Sequence, residues 1–203
     1  MRIAPSDIVP SDITLGLLAG GRGSRLGGAD KAWLAREGVP QVLRWAKRWS
    51  GEHGPVLVSA NRDLERYAEA GLTAVPDRIP DQGPLSGLDA LAAVCATPWL
   101  FTLPVDLVGA NDCLLRTLRS QRGAHGAFAH DEDGPQPLVA LWRCDALRLA
   151  CADAFAANER AAHRLAQRLD LPSVVFSGVR FGNLNTPEDL RADGIALPEP
   201  PSS

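Results

Sequence analysis

Short apolar runs alternate with longer stretches whose apolar residues recur at helical spacing through the first half of the chain. That alternation predicts buried strands joined by crossover helices, hence an α/β fold whose central sheet is mostly parallel with helices on both faces. Ile13 to Leu18 reads as the first strand, Val56 to Ser59 as the second, Leu72 to Val75 as the third and Trp99 to Leu103 as the fourth. Between them, Gln41 to Trp49 sets Val42, Trp45, Ala46 and Trp49 on one helical face, and Leu64 to Ala70 makes a short helix. Leu85 to Val94 is a third helix, opened by Pro84, whose missing N–H is not needed in a first turn.

After Asp106 the rhythm changes. A helix at Leu114 to Arg122 precedes "GAFAHDEDGPQPLVALW", two strand-like stretches around the turn-forming Asp131 to Gly134, which predict a β-hairpin instead of another crossover. Helices at Ala146 to Ala157 and Arg160 to Leu169 and a strand at Val174 to Phe176 follow. In "NTPEDL", Thr186 is placed to cap a last helix, with Pro187 at its first position and Glu188 and Asp189 near its positive end.

The chain has 203 residues, 45% of them hydrophobic, enough for one sizeable core, so residues 1–195 are expected to form a single domain and 196–203 ("LPEPPSS" at its end) a disordered tail. A net charge of -3 argues against a broad basic surface for nucleic acid. No apolar run approaches the about 20 residues of a membrane span, and no signal-peptide pattern opens the chain, so the expectation is a soluble cytoplasmic protein. Cys95, Cys113, Cys144 and Cys151 have no metal-ligand spacing and read as buried free thiols; His53, His125, His130 and His163 are scattered and read as solvated or locally bonded.

Chemistry enters with "LLAGGRGSRLGGADKAWL", residues 17–34, where five glycines, two arginines and one lysine follow the first strand. A strand, a glycine-rich turn and a helix start let backbone N–H groups converge on an anion, and ligands of open α/β sheets gather at the carboxyl ends of the strands. A Walker A loop does not fit, because Gly23 and Gly28 are followed by Ala29-Asp30-Lys31 where Gly-Lys-Ser/Thr would need its lysine directly. A dinucleotide fingerprint from Gly21 and Gly23 meets Leu26 where a glycine is required. Arg22, Arg25 and Lys31 supply the charge that phosphates need.

Leu18-Ala19-Gly20-Gly21, the spacer to Arg25, Leu26 and Gly27, and the pair Asp30-Lys31 resemble the signature of the molybdenum cofactor guanylyltransferases, the MobA family of nucleotidyltransferases, with Leu26 in place of the usual methionine. The resemblance extends to Pro104-Val105-Asp106, to Asp77 after "LTAVP", to Gly83-Pro84-Leu85 and Gly87, and to "GNLNTPEDL". It implies a Rossmann-like three-layer nucleotidyltransferase that transfers GMP from GTP to molybdopterin and releases pyrophosphate. Leu18 to Gly21, Lys31, Ser59, Asp77, Gly87 and Asp106 would then contact the nucleotide. Arg25, Lys31 and Asp106 would be catalytic, Asp106 would hold Mg²⁺, the expected cofactor, and Asn183 and Asn185 would face the acceptor. Ser59 stands where an asparagine is more usual, with Asn61 two residues on, and Gln136 stands where a histidine is frequent before Pro137. The implied partners are GTP, molybdopterin and molybdenum-insertion or recipient molybdoenzyme proteins. Relatives that use CTP usually carry LAAG, so Gly20-Gly21 favours guanine; sugar-phosphate nucleotidyltransferases and a non-catalytic carrier of the nucleotide or cofactor are the alternatives.

Overall fold

Alternating side chains along the first strand decide the layering. In the computed structural model, which describes residues 8–20 and 30–196, the elements in chain order are β1 (Ile13–Leu18), β2 (Ala35–Arg36), β3 (Val39–Pro40), α1 (Gln41–Arg48), β4 (Val56–Ser59), α2 (Leu64–Glu69), β5 (Thr73–Val75), α3 (Pro84–Val94), β6 (Trp99–Pro104), α4 (Leu114–Gln121), β7 (Gly126–Asp131), β8 (Gly134–Arg143), α5 (Cys144–Ala156), α6 (Ala162–Arg168), β9 (Ser173–Val175), α7 (Pro187–Ala192) and β10 (Ile195–Ala196). Residues 21–29, with Gly21 and Arg25, and residues 197–203 of the expected tail lie outside the described residues.

Leu15 and Leu17 of β1 are fully buried in a core that contains Val42, Trp45 and Trp49 beside α1 and Leu114, Leu115 and Leu118 of α4. Gly16 faces the other side, where α3 packs so closely that an added Cβ would stand 2.9 Å from the Leu100 side chain and 3.0 Å from that of Leu91. On that second face Leu85, Leu88 and Leu91 of α3 meet Leu147 of α5, Leu165 of α6, and Leu100 and Trp142 of the sheet. Each such fully buried leucine contributes about 1.5–3 kcal/mol relative to leaving it exposed. The result is three layers, helices over both faces of one sheet.

Seven strands make that sheet in the order β5-β4-β1-β6-β8-β7-β9. Strands β5, β4, β1 and β6 run parallel, as the alternation predicts, and the hairpin strand β8 enters antiparallel between β6 and β7. The expected hairpin forms around Asp131–Gly134, with an irregular register between Phe128 and Ala129. Helix and strand ends fall one or two residues from the expected positions: α5 starts at Cys144, α6 at Ala162, and β9 covers Ser173–Val175.

A second sheet, β10-β2-β3, had no visible signal, because strands of two residues carry no period. Ala196, expected to open the tail, pairs instead with Ala35. This small sheet and the cluster of Leu34, Leu184, Leu190 and Ile195 hold the last helix beside the segment that follows Lys31. Cys113 is exposed, contrary to expectation, because it precedes α4 at the surface; the other three cysteines are buried.

Candidate active site

Sheet register decides which loop residues meet. Leu18 stands opposite Ser59 on one side and Pro104 on the other, and Ser59 stands opposite Val75. Gly20, Asn61, Asp77 and Asp106 therefore emerge side by side at the carboxyl edge of four parallel strands, the place where open α/β sheets collect ligands. Backbone bonds continue the ladder past the strands: Ala19 N–H donates to Ser59 O, Ala60 N–H to Val75 O and Val105 N–H to Leu18 O.

Asp77 is locked by its neighbour. Asn61 Nδ2 donates to Asp77 Oδ2 at 2.8 Å, and Asp77 N–H donates back to Asn61 Oδ1 at 2.8 Å. Asp77 Oδ1 is buried without a protein partner, so it is an acceptor still to be used. Asn61, Arg62, Ala60, Asp30, Ala19 and Gly20 line a small cleft between β1 and β4. Among the described residues, a Cβ on Gly20 would meet nothing closer than 3.8 Å.

Ser59 and Gly87 are placed differently. Ser59 is buried beneath α3, and a Cβ on Gly87 would stand 2.7 Å from Ser59 Oγ and 3.0 Å from Leu18 Cδ2. In this structure the space beside Gly87 is taken by protein side chains, and the residue lets helix and sheet pack closely. Gly83, before α3, has φ +63° and so favours glycine by its backbone alone.

Lys31 is aimed from behind by Asp30, which caps a single 3-10 turn, Lys31–Trp33, by accepting from Ala32 N–H at 2.9 Å. Tyr67 donates to the other oxygen of Asp30 at 3.3 Å, and burial with the Asp30 carboxylate pushes the Tyr67 phenol well above its ordinary range. Trp33 packs on Tyr67, and the Arg66 guanidinium lies 4.1 Å over its ring. With its base fixed, Lys31 Nζ donates to Asp106 Oδ2 and to Asn185 Oδ1, both at 2.7 Å. Lysine and aspartate side chains are each 19% exposed, so the pair is partly withdrawn from water.

The segment that carries Asn185 is tied to the same strand end. Leu184 N–H donates to Asp106 O, Val108 N–H donates to Gly182 O, and Leu107 bridges Asn183. Asn185 turns toward Lys31, whereas Asn183 is exposed. Farther along, Asp131 in the hairpin accepts from Phe181 N–H, Gln136 Nε2 and Asp133 N–H. Burial pushes its carboxyl up, but these bonds outweigh that and hold it below the usual carboxylate range. Gln136 is thus bonded into its own turn.

The structure brings Lys31, Asp106 and Asn185 into direct contact, sets Asp77 and Gly20 on the same edge, and turns Ser59 and Gly87 into the packing behind it. Tyr67 and Asp131 take partners 37 and 50 residues away, Asp30 and Phe181, which no local pattern shows, and Asp189, legible only as a helix-start acid, also holds Asn185 N–H. Among the described residues no three His, Cys, Asp or Glu side chains could surround a metal. Asp106 and the Asn185 amide nevertheless offer hard oxygens at one point, which fits a cation that takes most of its ligands from phosphates and water. No helix among the described residues is long and apolar enough to cross a membrane.

Residues 16–172 match the family model of the MobA-like NTP transferase domain. The molybdenum cofactor guanylyltransferase of Cupriavidus necator is 35% identical over 199 residues, 91% of this chain and 97% of that protein. Among solved structures, molybdopterin-guanine dinucleotide biosynthesis protein A from Archaeoglobus fulgidus superposes with a TM-score of 0.65 at 17% identity, over 89% of this chain and 96% of that one. The inositol-1-phosphate CTP transferase from T. maritima superposes with a TM-score of 0.72 at 14% identity, over 89% and 92%. At these identities the structural matches speak for the fold.

Proposed function

Because the chain belongs to the MobA-like NTP transferase domain family and is a nucleotidyltransferase related to the molybdenum cofactor guanylyltransferases, we propose that it transfers GMP from GTP to molybdopterin, releasing pyrophosphate, with Mg²⁺ as cofactor. The observation that carries this reading is the meeting of Lys31, Asp106 and Asn185 at the edge that also presents Gly20 and Asp77.

Transfer between phosphates needs no protein nucleophile; the protein must align the acceptor phosphate with the α-phosphorus and neutralise the charge that spreads over the phosphate oxygens. Lys31, held at its base by Asp30, brings an ammonium to that place and, with two of its N–H groups bonded among the described residues, would offer the third to a phosphate oxygen. Among the described residues nothing crowds Gly20, which would let the nucleotide lie close. The unpartnered Oδ1 of Asp77 is an acceptor suited to a base that offers N–H groups, as guanine does at N1 and N2. Asp106 would hold Mg²⁺ with the Asn185 amide oxygen near it. When bound, the cation would supply further neutralisation of the triphosphate. Asn183, which is exposed, would face molybdopterin.

The base is tested by thermal unfolding in Mg²⁺ with GTP, CTP, ATP or UTP, since a ligand bound only by the folded chain raises its apparent stability by about 2.7 kcal/mol at a hundred times its dissociation constant. GTP is expected to give the largest shift. A larger shift with CTP would make the chain a cytidylyltransferase, and no shift with any of the four would overturn the assignment.

A further inference from the structure

We propose that Asn185, backed by Asp189, is a positioning residue for Lys31, serving the nucleotide side of the reaction. This rests on the nucleotidyl-transfer reading and reassigns a residue that the family resemblance places with the acceptor. An ammonium can only donate, so the atom 2.7 Å from Lys31 Nζ must be the amide oxygen of Asn185, which fixes the orientation of that side chain. Asn185 is itself held: its N–H donates to Asp189 Oδ2 at 3.0 Å, Thr186 N–H donates to the same oxygen at 2.8 Å, and Asp189 N–H returns a bond to Thr186 Oγ1 at 3.2 Å. The segment is pinned at both ends, by Leu184 N–H on Asp106 O and by Leu190 and Ile195 packed on Leu34. A neutral partner is the chemistry that suits the task. Asn185 orients the ammonium without cancelling its charge, so Lys31 remains able to leave Asp106 for a phosphate. A carboxylate there would add a second negative charge and retain it.

Three measurements test this on the full-length protein. In Asn185→Ala, calorimetric affinity for Mg-GTP is expected to fall about tenfold, the size of one lost charge-assisted hydrogen bond, with the KM for molybdopterin within twofold of wild type. Asn185→Asp should weaken GTP at least as much, and Asp189→Asn should act in the same direction more weakly. In a Lys31→Ala background, Asn185→Ala should add nothing, because the two residues act as one unit. Labelling of Lys31 by an amine-reactive ester, followed by peptide mass spectrometry without nucleotide, should rise several-fold in Asn185→Ala. Unchanged labelling, full additivity with Lys31→Ala, or a raised acceptor KM at unchanged GTP affinity would each overturn the proposal. Failure of the wild type to bind any nucleoside triphosphate would instead strike the transfer reading, and the labelling result would still decide the role of Asn185.

A separate observation carries a second inference. Cys144 Sγ lies 3.2 Å from Cys95 Sγ although 49 residues separate them, with Cys95 closing α3 and Cys144 opening α5. Both are buried, Thr97 Oγ1 lies 3.3 Å from Cys95 Sγ, and Cys144 N–H is bonded to Pro98 O. We infer that this pair is an oxidation site that closes to an intramolecular disulfide with hydrogen peroxide as oxidant. The Cys95 thiolate attacks one peroxide oxygen, the O–O bond breaks, the other oxygen leaves as hydroxide and becomes water with the proton that the Cys95 thiol gave up, and a sulfenic acid forms. The Cys144 thiol sulfur then attacks Cys95 sulfur, the S–O bond breaks, and the proton leaves with a second water. The hydrogen bond from Cys144 keeps the Cys95 thiol below its ordinary range, in support of Cys95 as the attacking sulfur. Dilute hydrogen peroxide on Cys113→Ser, which lacks the exposed thiol, should remove two hydrogens from the intact mass and yield a Cys95–Cys144 linked peptide. Cys95→Ser in the same background should stay unlinked. Recovery of both thiols free after peroxide, or linkage to Cys151 instead, would overturn it.

Discussion

Asp77 and Asp106 stand in matching places, each just past the end of a parallel strand, yet the chain surrounds them in different ways. Asp77 is gripped by Asn61 from the neighbouring strand end, sixteen residues away, and keeps one oxygen free. Asp106 is met by Lys31, 75 residues distant, and Lys31 in turn by Asn185, 154 residues from it. The first arrangement joins two neighbouring strand ends and makes a hydrogen-bonded contact point whose carboxylate keeps its charge. The second is assembled from three segments around a movable ammonium. A rigid acceptor is suited to binding, and an exchangeable cation is suited to chemistry, so damage at the two ends should appear in different kinetic constants.

Asp106→Ala should break the comparison most severely, lowering kcat about a thousandfold, or about 4 kcal/mol of transition-state stabilisation, while circular dichroism and thermal unfolding stay near wild type. Next comes Asp131→Ala, which leaves Phe181 N–H without its buried partner and loosens the segment that carries Asn185. About 2 kcal/mol of stability should be lost at neutral pH by denaturant titration. Because its folded carboxyl lies below the ordinary value, the wild-type contribution is present above pH 3.8 and disappears as pH falls through the lower folded value. The mutant should lack that part of the acid profile.

Asn61→Ala sharpens the other end. With Asp77 released, the KM for GTP should rise about tenfold, close to 1.4 kcal/mol, with kcat changed only a few-fold. The smallest effect belongs to His53, which touches neither carboxylate. Its Nδ1 is 2.9 Å from Gly54 O, its Nε2 is buried without a partner, and burial holds the imidazole below 6.5. The unfolded chain takes up that proton first, so stability should decline as pH falls from 6.5 toward the folded value; His53→Gln should flatten that part of the curve while leaving both kinetic constants alone.

How much of this was legible follows the same division. Apolar runs and crossover helices show parallel strands ending in Gly20, Asp77 and Asp106, so a shared crevice could be foreseen from the chain, whereas the order β5-β4-β1-β6 and its register could not. Lys31 could be named but not its partner, because no local pattern encodes a bond across 154 residues. The two-residue strands that seat the last helix have no period, and Asp189 reads as an ordinary helix-start acid until Asn185 is seen beside it. Ser59 and Gly87 show the opposite limit. Motif similarity singles them out for nucleotide contact, while packing occupies the space between them with Ser59 Oγ and the Leu18 side chain.

Pyrophosphate release from GTP in Mg²⁺, measured with and without molybdopterin, decides whether the chain is a transferase. Release that requires the acceptor and matches the guanylated product one for one is the expected result. GTP bound with measurable affinity and no pyrophosphate formed when the acceptor is added would contradict it, and would leave the chain a carrier instead of a transferase.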